Sequence, residues 1–130
     1  MAIYMGIDYG EKRVGIALSD KKGLMAFPKA VFSNDRYLFG NIKDICQGHE
    51  VETVILGESL DLKGARNPIM DNIERFKGFL ERELGLEVVY EKEFFTSHQA
   101  SSYGENALID ASAAALILQA FLDKENHGEE

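Results

Sequence analysis

The chain has 130 residues, 45% of them hydrophobic and 28% charged. That is the composition of one globular domain, large enough to bury a core without the help of a disulfide or a metal. Its single cysteine, Cys46, excludes an intramolecular disulfide and a multi-cysteine zinc site. No stretch approaches the roughly 18 apolar residues of a helical membrane span. The net charge is −8, unevenly spread. Residues 1–49 carry seven Lys/Arg against five Asp/Glu, and residues 50–130 carry seven against seventeen. An acidic chain is a poor non-specific binder of polyphosphate, because such binding draws on Lys and Arg displacing counterions. The cluster Lys12, Arg13, Lys21, Lys22 and Lys29 is the one basic patch the sequence offers. A lone cysteine and an N-terminus without a basic leader point to the cytoplasm.

In chain order, residues 3–8 read as a short apolar strand ending in Asp8-Tyr9-Gly10. A turn leads into a second strand, residues 13–19. Asp20 to Gly23 reads as another turn, and residues 24–32 as a third strand whose Pro28 demands an edge or a bulge. Tight turns between the three imply an antiparallel meander. The period then changes. Leu38, Ile42 and Ile45 have helical spacing, residues 51–56 form a compact strand, and residues 57–66 read as a loop. Asn67-Pro68 suits an N-cap followed by proline at the first helical position. Ile69, Ile73, Phe76, Leu80 and Leu84 then make one apolar stripe, with Gly85 at the helix end. Residues 86–90 read as a strand, and Thr96-Ser97 as the cap of a short helix. A last helix opens at Asp110 and runs to about residue 122. The order β-β-β-α-β-α-β-α-α predicts an α/β domain over residues 1–123, followed by a polar tail, 124–130.

Three carboxylates stand where elements begin or end: Asp8, Glu93 and Asp110. In open α/β sheets, residues from separate strand ends meet at one edge. An oxygen-only ligand set selects hard cations such as Mg²⁺ or Mn²⁺, which can activate water against a phosphodiester. Each acid alone also has a plainer reading. Asp8 could shape a turn, Glu93 could be a solvated surface group, and Asp110 could cap a helix. Lys12 and Arg13 beside Asp8 suit phosphate contact, as a point charge and a bidentate fork, or simply a solvated hairpin. Arg66 is a further candidate anion contact, or an ordinary surface residue. His98 follows the Thr96-Ser97 cap and could move a proton. His49 and His127 share no metal-ligand spacing with it. Cys46 lies on an apolar helix face and reads as packing.

The run Gly6-Ile7-Asp8-Tyr9-Gly10-Glu11-Lys12-Arg13-Val14-Gly15-Ile16-Ala17-Leu18-Ser19-Asp20 resembles the opening signature of the YqgF family. That family comprises ribonuclease H-like proteins described as Holliday junction resolvases and pre-16S rRNA nucleases. Val54-Ile55-Leu56-Gly57 with Leu60 and Gly64, Glu93-Phe94-Phe95-Thr96-Ser97, and Asp110 to Gln119 resemble its later motifs, in the same order. The resemblance implies a ribonuclease H-like five-stranded mixed sheet, with three antiparallel strands and then parallel crossovers. It implies Asp8, Glu93 and Asp110 as catalytic, metal-binding acids for Mg²⁺ or Mn²⁺. It also implies a nuclease acting on structured RNA, above all the 5′ end of precursor 16S rRNA, or on branched DNA as a junction resolvase.

The departures bear on substrate affinity. Phe94 stands where the family has arginine, Glu58-Ser59 where it has Leu-Pro, and Asp61 where it has asparagine. Residues 103–109 lack the basic groups often found there. Ala113, one turn after Asp110, supplies no fourth acid. Glu91 could be mistaken for the acid, but the Thr96-Ser97 register favours Glu93. The rival readings are a catalytically weak or inactive member that binds nucleic acid or protein, and an actin-like nucleotide-binding lobe, for which 130 residues are too few. The acidic balance leaves room for a basic or ribosomal protein partner. A monomer would suit RNA trimming, and a homodimer a two-fold junction.

Overall fold

The computed structural model describes residues 3–60, 63–94 and 107–126; the side chains of residues 93, 94 and 107–110 lie outside that description. Among the described residues, five strands and three helices follow in the order β1 (Ile3–Tyr9), β2 (Arg13–Ser19), β3 (Ala26–Ser33), α1 (Leu38–His49), β4 (Val51–Leu60), α2 (Met70–Leu84), β5 (Glu87–Phe94) and α3 (Ala107–Asn126). The strands form one sheet in the order β3-β2-β1-β4-β5. The first three pair antiparallel, while β4 runs parallel to both β1 and β5.

Alternation along β1 divides the molecule into two layers. Met5 and Ile7 are fully buried with Val54 and Leu56, under Ile42 of α1 and Ile73 and Leu80 of α2. On the other face, Ala17 and Ile55 are buried against Ala114, Leu118 and Leu122 of α3. Gly6 belongs to this second face. A Cβ there would lie 2.7 Å from Leu118 Cβ and 2.8 Å from the Ala114 carbonyl oxygen, so α3 rests directly on the β1 backbone.

Local rules account for much of this. Pro28 lies on the edge strand β3, and the β2–β3 register slips beside it, from Ile16↔Ala30 to Ala17↔Pro28. Gly85 closes α2 in the left-handed region, at φ +67, where glycine costs least. Cys46 is buried among the core residues of α1.

Four expectations need correction. Residues 57–60 are not loop; they continue β4, because Gly57, Glu58, Ser59 and Leu60 find partners along β5 from Glu91 to Phe94. The α2 helix begins at Met70 rather than at Asn67-Pro68. Ile69 takes the N-cap position with no side-chain cap bond, and the Asn67 amide turns to β4, where its Nδ2 donates to Ser59 Oγ at 2.9 Å. Asp110 is the fourth residue of α3, not its opening cap. The same helix reaches Asn126, so residues 124–126 belong to it rather than to a tail. Lys124 Nζ meets Glu91 Oε2 at 2.7 Å, and Asn126 Nδ2 donates to the Gly23 carbonyl. The short helix expected at Thr96-Ser97 lies outside the described residues.

Candidate functional site

Asp8 is the sixth residue of the central strand and is half-buried near its C-terminal end. It faces the α3 side, two residues beyond Gly6. Its β2 partner is Gly15. One step beyond the Ile7↔Leu56 pair, its neighbour on β4 is Gly57. Asp8 therefore stands between two glycines on the neighbouring strands.

Glu93 pairs with Ser59 at the C-terminal end of β5. Val89 packs against the α3 layer, so alternation assigns position 93 to Asp8's face of the sheet. Moving up β1 moves back along α3: the Tyr4 ring meets Phe121 at 5.6 Å, and Gly6 meets Leu118 and Ala114. One turn before Ala114 stands Asp110, level with Asp8 on the backbone. The side chains of Glu93 and Asp110 lie outside the described residues. Among the described side chains, no three His, Cys, Asp or Glu are grouped to hold a metal ion.

Lys12 is exposed in the β1–β2 turn, and Arg13 opens β2 on the same face as Gly15, beside Asp8. Arg66 is half-exposed and ion-paired within the chain, at 3.0 Å to Glu74 and 3.6 Å to Asp71. The expected basic cluster does not form. Lys21 and Lys22 lie in the β2–β3 turn, at the opposite end of β2 from Arg13. A seven-residue strand spans about 23 Å, so the two ends cannot serve one phosphate. His49 ends α1, just before β4 begins at the edge away from Asp8. His98 and His127 lie outside the described residues. Glu91 is buried and joined to Lys124, the arrangement of a structural acid.

Sequence reasoning missed Asn34. Its Nδ2 donates to the Gly10 carbonyl at 2.8 Å, and its backbone N–H donates to the Lys12 carbonyl at 2.8 Å. One residue thus clamps both sides of the hairpin that carries Lys12 and Arg13. Gly10 is required there, since a Cβ would lie 2.7 Å from the Arg13 carbonyl oxygen. Ser33-Asn34-Asp35 has turn-forming composition, but which carbonyls it clamps is decided by tertiary structure. Gly57 was missed because a glycine before polar residues reads as a loop.

The sheet order, the crossovers and the acid-bearing strand end define a ribonuclease H-like nuclease fold. Two solved structures of RuvC from Thermus thermophilus share it. One, in complex with a Holliday junction substrate, superposes with a TM-score of 0.63 at 14% identity, covering 98% of this chain and 97% of that one. The other gives 0.57 at 14% identity, covering 95% and 96%. The family described as "RuvX: Holliday junction resolvase" matches residues 2–124. A relative from Syntrophus aciditrophicus is 32% identical over 92% of this chain and 87% of its own. Another, from Nitratidesulfovibrio vulgaris, is 33% identical over 92% of each. Both carry the description "Putative pre-16S rRNA nuclease". The chain belongs to the RuvX family of nucleases.

Proposed function

We propose that this chain is a divalent-metal-dependent endonuclease that processes the 5′ end of precursor 16S rRNA in the cytoplasm. The observation that carries the reading is the place of Asp8 near the C-terminal end of the central strand. Gly15 and Gly57 flank it, and strand alternation with the helix register supports Glu93 and Asp110 as its neighbours on that face.

The donor set fits a hard cation. Asp8, Glu93 and Asp110 would offer only carboxylate oxygens, which suits Mg²⁺ or Mn²⁺. When bound, such an ion makes water a stronger nucleophile and offsets charge on the phosphoryl oxygens. The chain's own residues do the rest. The central strand fixes Asp8, so its carboxylate needs little reorganisation. Gly15 and Gly57 flank it without side chains of their own. Lys12 and Arg13, on a hairpin held by Asn34, balance the charge of the incoming backbone. Arg66 would have to leave Asp71 and Glu74 to join them.

The shared description of the curated relatives favours precursor rRNA as substrate, and the family's own description keeps branched DNA as the alternative. A second reading, a non-catalytic module that binds nucleic acid or protein, draws support from Phe94 at the family's arginine position and from the engaged Arg66. On that reading a basic or ribosomal protein supplies the missing affinity.

The deciding assay offers purified protein three substrates with Mg²⁺, Mn²⁺ or chelator: precursor 16S rRNA, a four-way DNA junction and linear controls. Metal-dependent cleavage of the precursor is expected. Cleavage of the junction alone would make the protein a resolvase. No cleavage by folded protein, with no Mn²⁺ binding by calorimetry, would leave the binding module.

A further inference from the structure

On the face of the sheet opposite Asp8, a groove of about 450 Å³ opens between α1 and α2. That volume lies within the range of small-molecule sites, roughly 300–1,000 Å³. Tyr9 lines its inner wall. Phe39 and Phe79 form a stacked pair on its flank, with centroids 4.8 Å apart and planes 29° apart. Phe79 is 45% exposed, unusual for so large an apolar ring. Arg36 and Arg75 stand in the groove's lining. Arg75 Nη2 donates to Asn72 Oδ1 at 2.6 Å, which orients its guanidinium, and Arg36 lies over the Tyr37 ring at 5.0 Å. Asp35 is the acid of the lining, and its Oδ1 accepts the Tyr37 N–H. The groove is thus net positive on a chain of net charge −8.

We infer that this groove holds an unpaired stretch of the substrate strand next to the cleaved bond, an inference that rests on the nuclease reading above. Three observations select that occupant over an apolar peptide. Tyr9, Phe39, Phe76 and Phe79 line it, and an exposed aromatic face such as that of Phe79 suits stacking with any base. Both cations are arginines, whose planar forks match phosphate oxygens. The groove also begins at the site's own strand end. Tyr9 follows Asp8, and Asn34 both lines the groove and clamps the hairpin of Lys12 and Arg13. A strand passing round the end of β1 would leave the acids on one face and reach Phe39 and Phe79 on the other. Stacking then supplies affinity that an acidic chain cannot draw from charge alone.

The test is binding of a fluorescein-labelled eight-nucleotide single-stranded RNA by anisotropy, in chelator so that nothing is cut, with DNA of the same sequence alongside. Phe79→Leu, which keeps an apolar side chain but loses the stacking face, is expected to weaken binding about tenfold. Two phosphate contacts give a slope of log K on log salt of about −1.4, and Arg75→Gln is expected to flatten it by about 0.7. RNA carrying 5-bromouridine is expected to photocrosslink to Tyr9, Phe39 or Phe79. Absence of RNA binding, or wild-type affinity and slope in both variants with crosslinks elsewhere, would overturn the inference. The two readings fail separately. Groove binding by a protein that cleaves nothing supports the groove and removes the nuclease. Metal-dependent cleavage with unaltered binding in both variants removes the groove and leaves the nuclease.

Discussion

Gly6 and Asp8 sit two residues apart on β1 and face the same helix, yet they serve opposite needs. Gly6 lets α3 touch the strand by having no side chain, while Asp8 presents a carboxylate opposite Gly15. Gly6→Ala would press a methyl group against the Ala114 carbonyl and Leu118. Overpacking of that kind costs about 1–3 kcal/mol, so a clear fall in melting temperature is expected. Tyr90 presents the reverse case. Its hydroxyl is buried and, among the described residues, finds no hydrogen-bond partner. Removing an unsatisfied polar group is neutral or stabilising, so Tyr90→Phe should hold or raise the melting temperature at pH 7. Burial also pushes the Cys46 thiol up from 9.0 to about 11. The unfolded chain releases that proton near pH 9, whereas the native chain keeps it to about 11. The contribution of the neutral thiol is therefore complete below pH 9 and is lost as pH rises to 11. Denaturant titrations should show stability falling across that window, with a shallower fall in Cys46→Ala. Burial raises the Tyr90 hydroxyl as well, with Glu74 and Glu58 adding to the shift, so loss from that group begins near pH 10.

Between elements, the side chain of Gln119 does the work of a strand. From α3 its Oε1 accepts the Ala26 N–H at 2.9 Å, and its Nε2 donates to the Leu24 carbonyl at 2.9 Å. It ties the start of the edge strand β3 to the helix that covers Asp8's face. Gln119→Ala should lower stability by about 1–3 kcal/mol, from two hydrogen bonds at roughly 0.5–1.5 each. Hydrogen exchange should then rise at Ala26. Elements whose signals are local were legible in the sequence. The turn residues after Asp8 and Ser19, Pro28 as edge or bulge, and Gly85 as a left-handed cap all act through their own backbone. Elements decided by a distant partner were not. Residues 57–60 look like a loop until β5 supplies their hydrogen bonds. Asn67 looks like a cap until Ser59 takes its side chain.

Across the whole molecule, the same distinction governs the site. The place of Asp8 at a strand end was legible because a strand followed by Asp-Tyr-Gly and a basic hairpin is a contiguous signature. The glycines flanking it were not, since Gly15 and Gly57 become its neighbours only through sheet order. The five basic residues from Lys12 to Lys29 look like one patch in sequence, but the length of β2 separates Lys12 and Arg13 from Lys21 and Lys22. What remains beside Asp8 is Lys12 and Arg13, on a chain of net charge −8. The proposed cleavage therefore depends on carboxylates that would hold a metal rather than on a broad cationic surface. The most direct test compares wild type with Asp8→Asn on precursor 16S rRNA in Mg²⁺ or Mn²⁺, with melting curves of both proteins in chelator. The account predicts equal melting temperatures and a fall in cleavage rate of about a hundredfold or more, the loss of several kcal/mol of metal-dependent stabilisation. Undiminished cleavage by a folded, purified Asp8→Asn protein would contradict it.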